Sequence, residues 1–163
     1  MPDGSWTDQF PGFAALDPEV RAALTEKARI VHLPKGARIF GAGEATDRLL
    51  MLISGTVRVQ HLSESGREVV LYRVSGGDSC VMTNAFLLAY EDHAAEGIAE
   101  TDIEAAAIPR AAFDAAIAGS EAFRTMVLSA YARRITDLFQ VIDDIAFRRM
   151  DVRLAEKLLA LAE

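Results

Sequence analysis

The hydrophobic pattern changes period near residue 110, and that change divides the chain. Between residues 29 and 109 apolar positions come in short runs or strict alternations, punctuated by glycine. Residues 29–33 alternate, Ile39-Phe40 leads into Gly41-Ala42-Gly43-Glu44, and Leu49-Leu50-Met51-Leu52-Ile53 is a continuous run of buried-strand length. Val57 and Val59 alternate with Arg58 and Gln60, Ser63-Glu64-Ser65-Gly66 has hairpin-loop composition, residues 69–74 run back, and residues 103–108 close the series. Strands spaced by roughly 8–12 residues, with no helical crossover between them, predict an antiparallel sandwich, barrel or roll.

Helical signals flank this region. Residues 1–12 are polar and irregular, with Trp6 and Phe10 as candidate tethers. Asp17-Pro18-Glu19 reads as an N-cap with proline at the first helical position, opening a helix to about residue 28. Residues 110–117 form a short helix stopped by Gly119, and Ser120 caps the next one, with Glu121 in its first turn.

From residue 123 to 147 no glycine or proline interrupts, and Val127, Tyr131, Ile135, Leu138, Ile142 and Ile145 recur at steps of four or three. That is a heptad-like seam on a helix near 40 Å long, more than a small β-domain covers. It predicts a parallel homodimer with those six residues at the interface. Asp151 reads as the cap of a further helix, with Leu154, Leu158, Leu159 and Leu161 on one face.

Charge and composition exclude several classes. The net charge of −7 is carried by residues 1–119, with ten basic against seventeen acidic side chains, while residues 120–163 hold seven of each. Neither part has the basic footprint that binding a phosphate backbone requires. The longest apolar run is too short to cross a bilayer and the N-terminus has no secretion-signal pattern, so a cytoplasmic protein without membrane attachment is expected. A single cysteine, Cys80, rules out an internal disulfide and an iron–sulfur cluster and provides no metal site. His32, His61 and His93 are isolated, with no His-x-His or nucleophile–base arrangement, so no catalytic residue is assigned and the chain is expected not to be an enzyme.

One stretch looks like a ligand cradle. Gly76-Gly77-Asp78-Ser79-Cys80-Val81 is followed after eleven residues by His93-Ala94-Ala95, a glycine turn faced by a returning strand. The six acids from Glu91 to Glu104, with no Lys or Arg among them, produce a local field that disfavours an anion.

A strand-rich roll, a short helix and a long dimer helix in this order resemble the CRP/FNR family of transcription regulators. Residues 39–44, 49–52 and Gly55 resemble the first signature of cyclic-nucleotide-binding domains, departing from it at Phe40 and Thr46. Gly77 to Val81, with His93-Ala94-Ala95 downstream, are similar in spacing to the second. The family's Gly-Glu is here Gly77-Asp78, and its Arg-Ser/Thr-Ala is His93-Ala94-Ala95.

The resemblance implies an α+β fold: a double-stranded antiparallel jelly roll with flanking helices over residues 13–119, a dimerisation helix over 120–150, and at 151–163 the start of a winged helix-turn-helix domain that this chain lacks. It implies an effector-sensing bacterial regulator that meets DNA only through that domain, with Gly77, Asp78, Ser79, Cys80, Val81, His93 and Ala94 at the ligand. With His93 replacing the phosphate-binding arginine and Ala94 removing a hydroxyl, the implied effector is not a standard cyclic nucleotide. Three alternatives stay open: a haem-based NO or CO sensor with axial ligands among His32, His61, His93, Cys80 and Met82, a cyclic-AMP regulator with a degenerate site, and a ligand-free dimerisation module.

Overall fold

The computed structural model of the chain describes residues 4–45, 47–79 and 95–161. In chain order its strands are β1 (Arg29–Leu33), β2 (Arg38–Phe40), β3 (Arg48–Ser54), β4 (Thr56–Leu62), β5 (Glu68–Ser75), β6 (Glu96–Ala99) and β7 (Ile103–Pro109). Its helices are α1 (Pro11–Ala14), α2 (Pro18–Lys27), α3 (Arg110–Gly119) and α4 (Glu121–Leu161). The strands pair antiparallel into two sheets, ordered β1-β7-β3 and β2-β6-β4-β5. This is the antiparallel roll with flanking helices and a long final helix that the pattern predicts.

β3 explains its own unbroken apolar run, because it is covered on both faces. Leu52 joins Val57, Val59, Tyr72, Val74, Ile103 and Ala105 in a core between the sheets. Leu49 and Met51 point the other way and join Ala106 and Ile108 under the helices. Tyr72 and Val74 of β5 and Leu52 of β3 thus belong to one core, and the turn after β5 lies beside both sheets.

The second core reaches further back than the expected domain start at residue 13. Trp6 packs edge-on against Phe10 and Phe13, with ring centroids 5.9 and 5.3 Å away. All three rings are buried with Leu16 and Leu24. Arg21 of α2 ties this segment down by donating to Thr7 Oγ1 and Asp8 Oδ1, both at 2.9 Å.

Two helix signals need correction. Asp17 does precede α2, with Pro18 at its first position, but its side chain makes no capping hydrogen bond; its backbone carbonyl accepts from Arg21 N–H at 2.9 Å. The helix break expected at Asp151 is absent: α4 is one 41-residue helix, at 1.5 Å per residue about 60 Å long. Asp151 has helix-forming neighbours on both sides and no glycine or proline, so nothing local interrupts the backbone hydrogen-bond ladder. The cap at the other end forms as read, with Ser120 Oγ accepting from Phe123 N–H at 3.1 Å.

Among the described residues, α4 is anchored to the rest of the chain chiefly through its N-terminal part. Phe123 and Val127 are buried, and Phe123 meets Phe113 of α3 edge-on at 5.7 Å. From Ile135 to Leu159 every described side chain is exposed. Removing the anchor should therefore be costly. Phe123→Ala is expected to lower stability by about 3–5 kcal/mol in urea unfolding, whereas Phe139→Ala, on the exposed stretch, should change the unfolding of the monomer by about 0.5 kcal/mol or less.

Candidate functional site

The turn after β5 is the point where one sheet hands over to the other. Gly77 N–H donates to the Leu52 carbonyl at 2.8 Å, Leu52 N–H donates to the Asp78 carbonyl at 3.0 Å, and Asp78 N–H closes on Ser75 at 3.0 Å. Ser79 then bridges antiparallel to Met51. β5 belongs to the four-stranded sheet, yet its turn is bonded to β3 of the three-stranded one.

Both glycines are required there. A Cβ on Gly76 would lie 2.7 Å from the Ile53 carbonyl oxygen, and Gly77 has φ of 93°, in the left-handed region.

The turn forms one wall of a cavity of about 480 Å³. Gly77, Asp78 and Ser79 line it beside Leu49 and Met51, Phe10 and Gly12 close the N-terminal side, and α4 supplies the facing wall from Met126 to Asp137. The volume is in the range of small-molecule sites. Of the residues expected at a ligand, Gly77, Asp78 and Ser79 are brought together here. Cys80, Val81, His93 and Ala94 lie outside the described residues. The Gly77 and Asp78 amides are already committed to protein carbonyls, so these two N–H groups cannot serve a bound anion.

Positive charge enters from α4, which the motif-based reading missed. Arg133 and Arg134 line the cavity with Thr136 and Asp137. The Arg134 guanidinium lies over the ring of Tyr72 at 4.5 Å, and its Nη1 is 3.8 Å from Asp137 Oδ2. That distance is an ion pair without a hydrogen bond. A sequence signal existed. Phe123, Val127, Ala130, Arg134 and Asp137 recur at steps of four and three, which is one helix face. It is the face turned to the roll.

This stripe corrects the predicted seam. Val127 is only 2% exposed, packed inside its own chain, and belongs to the roll-facing stripe. The exposed apolar stripe starts one residue later, at Leu128, and continues through Tyr131, Ile135, Leu138 and Ile142. Its steps of three and four are more regular than the original ones. The side chain of Ile145 is outside the described residues.

The acidic field expected between Glu91 and Glu104 is also reorganised by the fold. Glu100 is held by Arg73, whose Nε donates at 2.8 Å, and faces Arg58 at 3.7 Å. The hydrogen bonds from Arg73, reinforced by the charges of Arg73 and Arg58, keep its carboxyl below the usual range. Asp102 accepts from the Lys35 amide at 2.8 Å, and Glu96 accepts from Gln60 Nε2 at 2.8 Å. None of Glu96, Glu100, Asp102 or Glu104 lines the cavity.

The described haem-ligand candidates do not fit that group. His32 on β1 and His61 on β4 are exposed, stand in different sheets, and neither lines the cavity. Met82, like Cys80 and His93, falls outside the described residues.

A two-sheet antiparallel roll whose corner turn faces a long helix across a small-molecule cavity is a sensor-type β-roll. The chain belongs to the cyclic nucleotide-binding domain family, which it matches over residues 30–120. The relatives it matches include CRP-like transcriptional regulators. The CRP-like cAMP-activated global transcriptional regulator of Mycobacterium tuberculosis is 30% identical over 151 residues, covering 93% of this chain and 66% of that protein. The crystal structure of a protein assigned to transcriptional regulators of the CRP/FNR family, from Eubacterium rectale, superposes with a TM-score of 0.79 at 25% identity, over 94% of this chain and 71% of that one. The N-terminal domain of a transcriptional regulator from Streptomyces coelicolor gives 0.62 at 28% identity, over 81% of this chain and 93% of that one. No helix among the described residues is long and apolar enough to cross a membrane.

The turn chemistry is open to a direct check. Gly77→Ala should cost about 1–2 kcal/mol through its positive φ, and Gly77→Asn less, because asparagine tolerates that region. Gly76→Ala should cost about 1–3 kcal/mol by overpacking against the Ile53 carbonyl, and here asparagine should bring no relief. Urea unfolding of the four variants separates the two mechanisms.

Proposed function

We propose that this chain is the effector-sensing and dimerising portion of a CRP/FNR-type transcriptional regulator. One observation carries the reading: the cavity is walled jointly by the turn of the roll and by α4, so an occupant touches both. A ligand acts on the helix only if it prefers one roll–helix arrangement over another, and a site shared between the two elements has the means to do so. The regulator's DNA contact is assigned to a helix-turn-helix domain outside these residues, as the neutral charge balance of residues 120–163 and the CRP-like relatives support.

Dimerisation follows from the length and surface of α4. A helix of about 60 Å carries Leu128, Tyr131, Ile135, Leu138 and Ile142 exposed along one stripe, the kind of surface that marks an interaction site. A parallel copy of the same helix covers it by knobs-into-holes packing. The chain should sediment as a dimer. Leu138→Asp combined with Ile142→Asp should give a monomer that keeps the β-rich circular dichroism of the roll; an unchanged dimer mass would reject this interface.

The effector is read as other than a standard cyclic nucleotide, because His93 and Ala94 stand where the family's phosphate-binding arginine and hydroxyl are found. The cAMP-activated relative from M. tuberculosis favours a second reading, cAMP itself. Isothermal titration decides between them. With cAMP or cGMP at micromolar concentrations no saturable heat is expected, and micromolar binding of either would establish the second reading.

A further inference from the structure

We infer that the outer edge of β5 is a docking surface for a second copy of this chain, the two β5 strands pairing antiparallel about a two-fold axis at Val70. The surface is separate from the cavity and from the exposed stripe of α4, and the inference stands without either. Three observations carry it.

The first is an uncovered edge. Among the described residues β5 pairs with β4 on one side and ends the four-stranded sheet on the other. Val69 and Val70 are 55% and 41% exposed, and Glu68, Arg73 and Ser75 are exposed beside them. Leu62, opposite Glu68 on β4, is also exposed and extends the apolar patch. An edge strand presents a row of unpaired N–H and C=O groups, and proteins ordinarily blunt it with lysine or proline. β5 contains neither, and its valines and tyrosine favour strand pairing.

The second is a bulge that makes the strand symmetric. Leu62, His61 and Gln60 of β4 oppose Glu68, Val69 and Val70; the register then skips Leu71 and resumes with Val59 opposite Tyr72 and Arg58 opposite Arg73. In a regular strand Glu68 and Arg73, an odd number of residues apart, would point to opposite faces. With Leu71 out of the count, Glu68, Val70 and Arg73 share the face of Leu62, Gln60 and Arg58, while Val69 and Tyr72 share the other. Outward from Val70, each direction then meets one apolar residue and one charge, acidic on one side and basic on the other.

The third is charge complementarity. Centred on Val70, the pairing sets Glu68 against the partner's Arg73 and Arg73 against the partner's Glu68. Val69 and Tyr72 oppose each other in the same reciprocal way. Opposite charges and β-branched–aromatic pairs are the stabilising cross-strand combinations. Centred on Val69 or Tyr72 instead, Glu68 would meet Val70 or Ser75, and the charges would go unmatched. Both charged groups have capacity to spare. Glu68 faces Arg58 at 3.9 Å, beyond hydrogen-bond distance. Arg73 donates to Glu100 from Nε and Nη2, which leaves Nη1 for a second carboxylate.

A single strand pair is a small interface, so the association is weak beside that of a long helix seam. It sits on a different element from α4, and helix-paired dimers would join through it into larger assemblies.

The test uses the whole chain carrying Leu138→Asp and Ile142→Asp, which removes the contribution of α4. Its sedimentation mass should double between low micromolar and near-millimolar concentration, and amide hydrogen exchange over residues 68–73 should slow in parallel. Adding Glu68→Arg or Arg73→Glu sets like charges opposite each other and should weaken the association about tenfold or more. Mixed in equal amounts, these two proteins should associate again, because each supplies the charges the other lacks. Val70→Lys sets two ammonium groups face to face at the axis and should abolish association. Circular dichroism reports whether each variant is folded. Arg73→Glu places an acid beside Glu100, and if it fails to fold, Glu68→Arg and Val70→Lys decide between them.

A mass that responds neither to concentration nor to the β5 substitutions overturns the proposal. So does association that survives Glu68→Arg and Val70→Lys, and so does a mixture of folded Glu68→Arg and Arg73→Glu proteins that stays apart. None of these results bears on the α4 seam or on the effector cavity, which are read from the dimer mass of the unsubstituted chain and from ligand titration.

Discussion

The pair of hydrogen bonds between Leu52 and the turn Gly77-Asp78, 2.8 and 3.0 Å long, is the constraint on which the site depends. β5 ends in one sheet, and these bonds attach its continuation to β3 of the other. Closing two sheets at a corner demands that the backbones approach closely, which is why a Cβ at position 76 would press on the Ile53 carbonyl at 2.7 Å. The same bonds consume the amides of the turn. A motif whose spacing suggests an anion cradle therefore spends its described donors on joining the sheets, and presents to the cavity chiefly the Asp78 carboxylate and the Ser79 segment. Fold and ligand chemistry compete for the same N–H groups here, and the fold takes them.

α4 answers with two stripes, one residue apart. Phe123, Val127, Ala130, Arg134 and Asp137 look at the roll; Leu128, Tyr131, Ile135, Leu138 and Ile142 are exposed beside them. Successive residues on a helix lie about 100° apart, so the stripes are neighbouring faces and not opposite ones. On the roll-facing stripe the chemistry changes along the helix. Its first turns are apolar and anchored against Phe113, while at Arg134 and Asp137 it becomes charged and borders the cavity.

Much of the fold was legible because local signals and tertiary demands agreed. The run from Leu49 to Ile53 is apolar throughout because β3 is sandwiched between two cores, and the Ser120 cap and Gly119 stop are set by local backbone needs. The phase of the α4 seam was not legible. Val127 and Leu128 are adjacent and both apolar, so either starts a four–three repeat, and only the packing of Val127 on its own core assigns them. Asp151 failed as a break because a capping residue needs a non-helical backbone before it, and nothing upstream imposes one. Arg134's place at the cavity was invisible to motif reading because its partner Tyr72 lies sixty-two residues away in sequence.

The electrostatics of the site illustrate the same point with the sign reversed. Counted along the chain, residues 91–104 are acidic without relief, which argues against an anion. In the fold the relief comes across strands: Arg58 and Arg73 from β4 and β5 reach Glu100, and the Lys35 amide reaches Asp102. The described acids of that stretch leave the cavity unlined, while two arginines distant in sequence border it. Position then matters as much as charge. Arg134 is the last α4 residue that is not exposed before the long exposed run begins, so it stands at the boundary between the anchored and the free part of the helix. On the proposed reading an occupant of the cavity meets the helix at that boundary, beyond the anchor at Phe123. A ligand shifts a two-state equilibrium by no more than its differential affinity, so on the proposed reading an occupant acts on the helix only through contacts that differ between two arrangements of helix and roll.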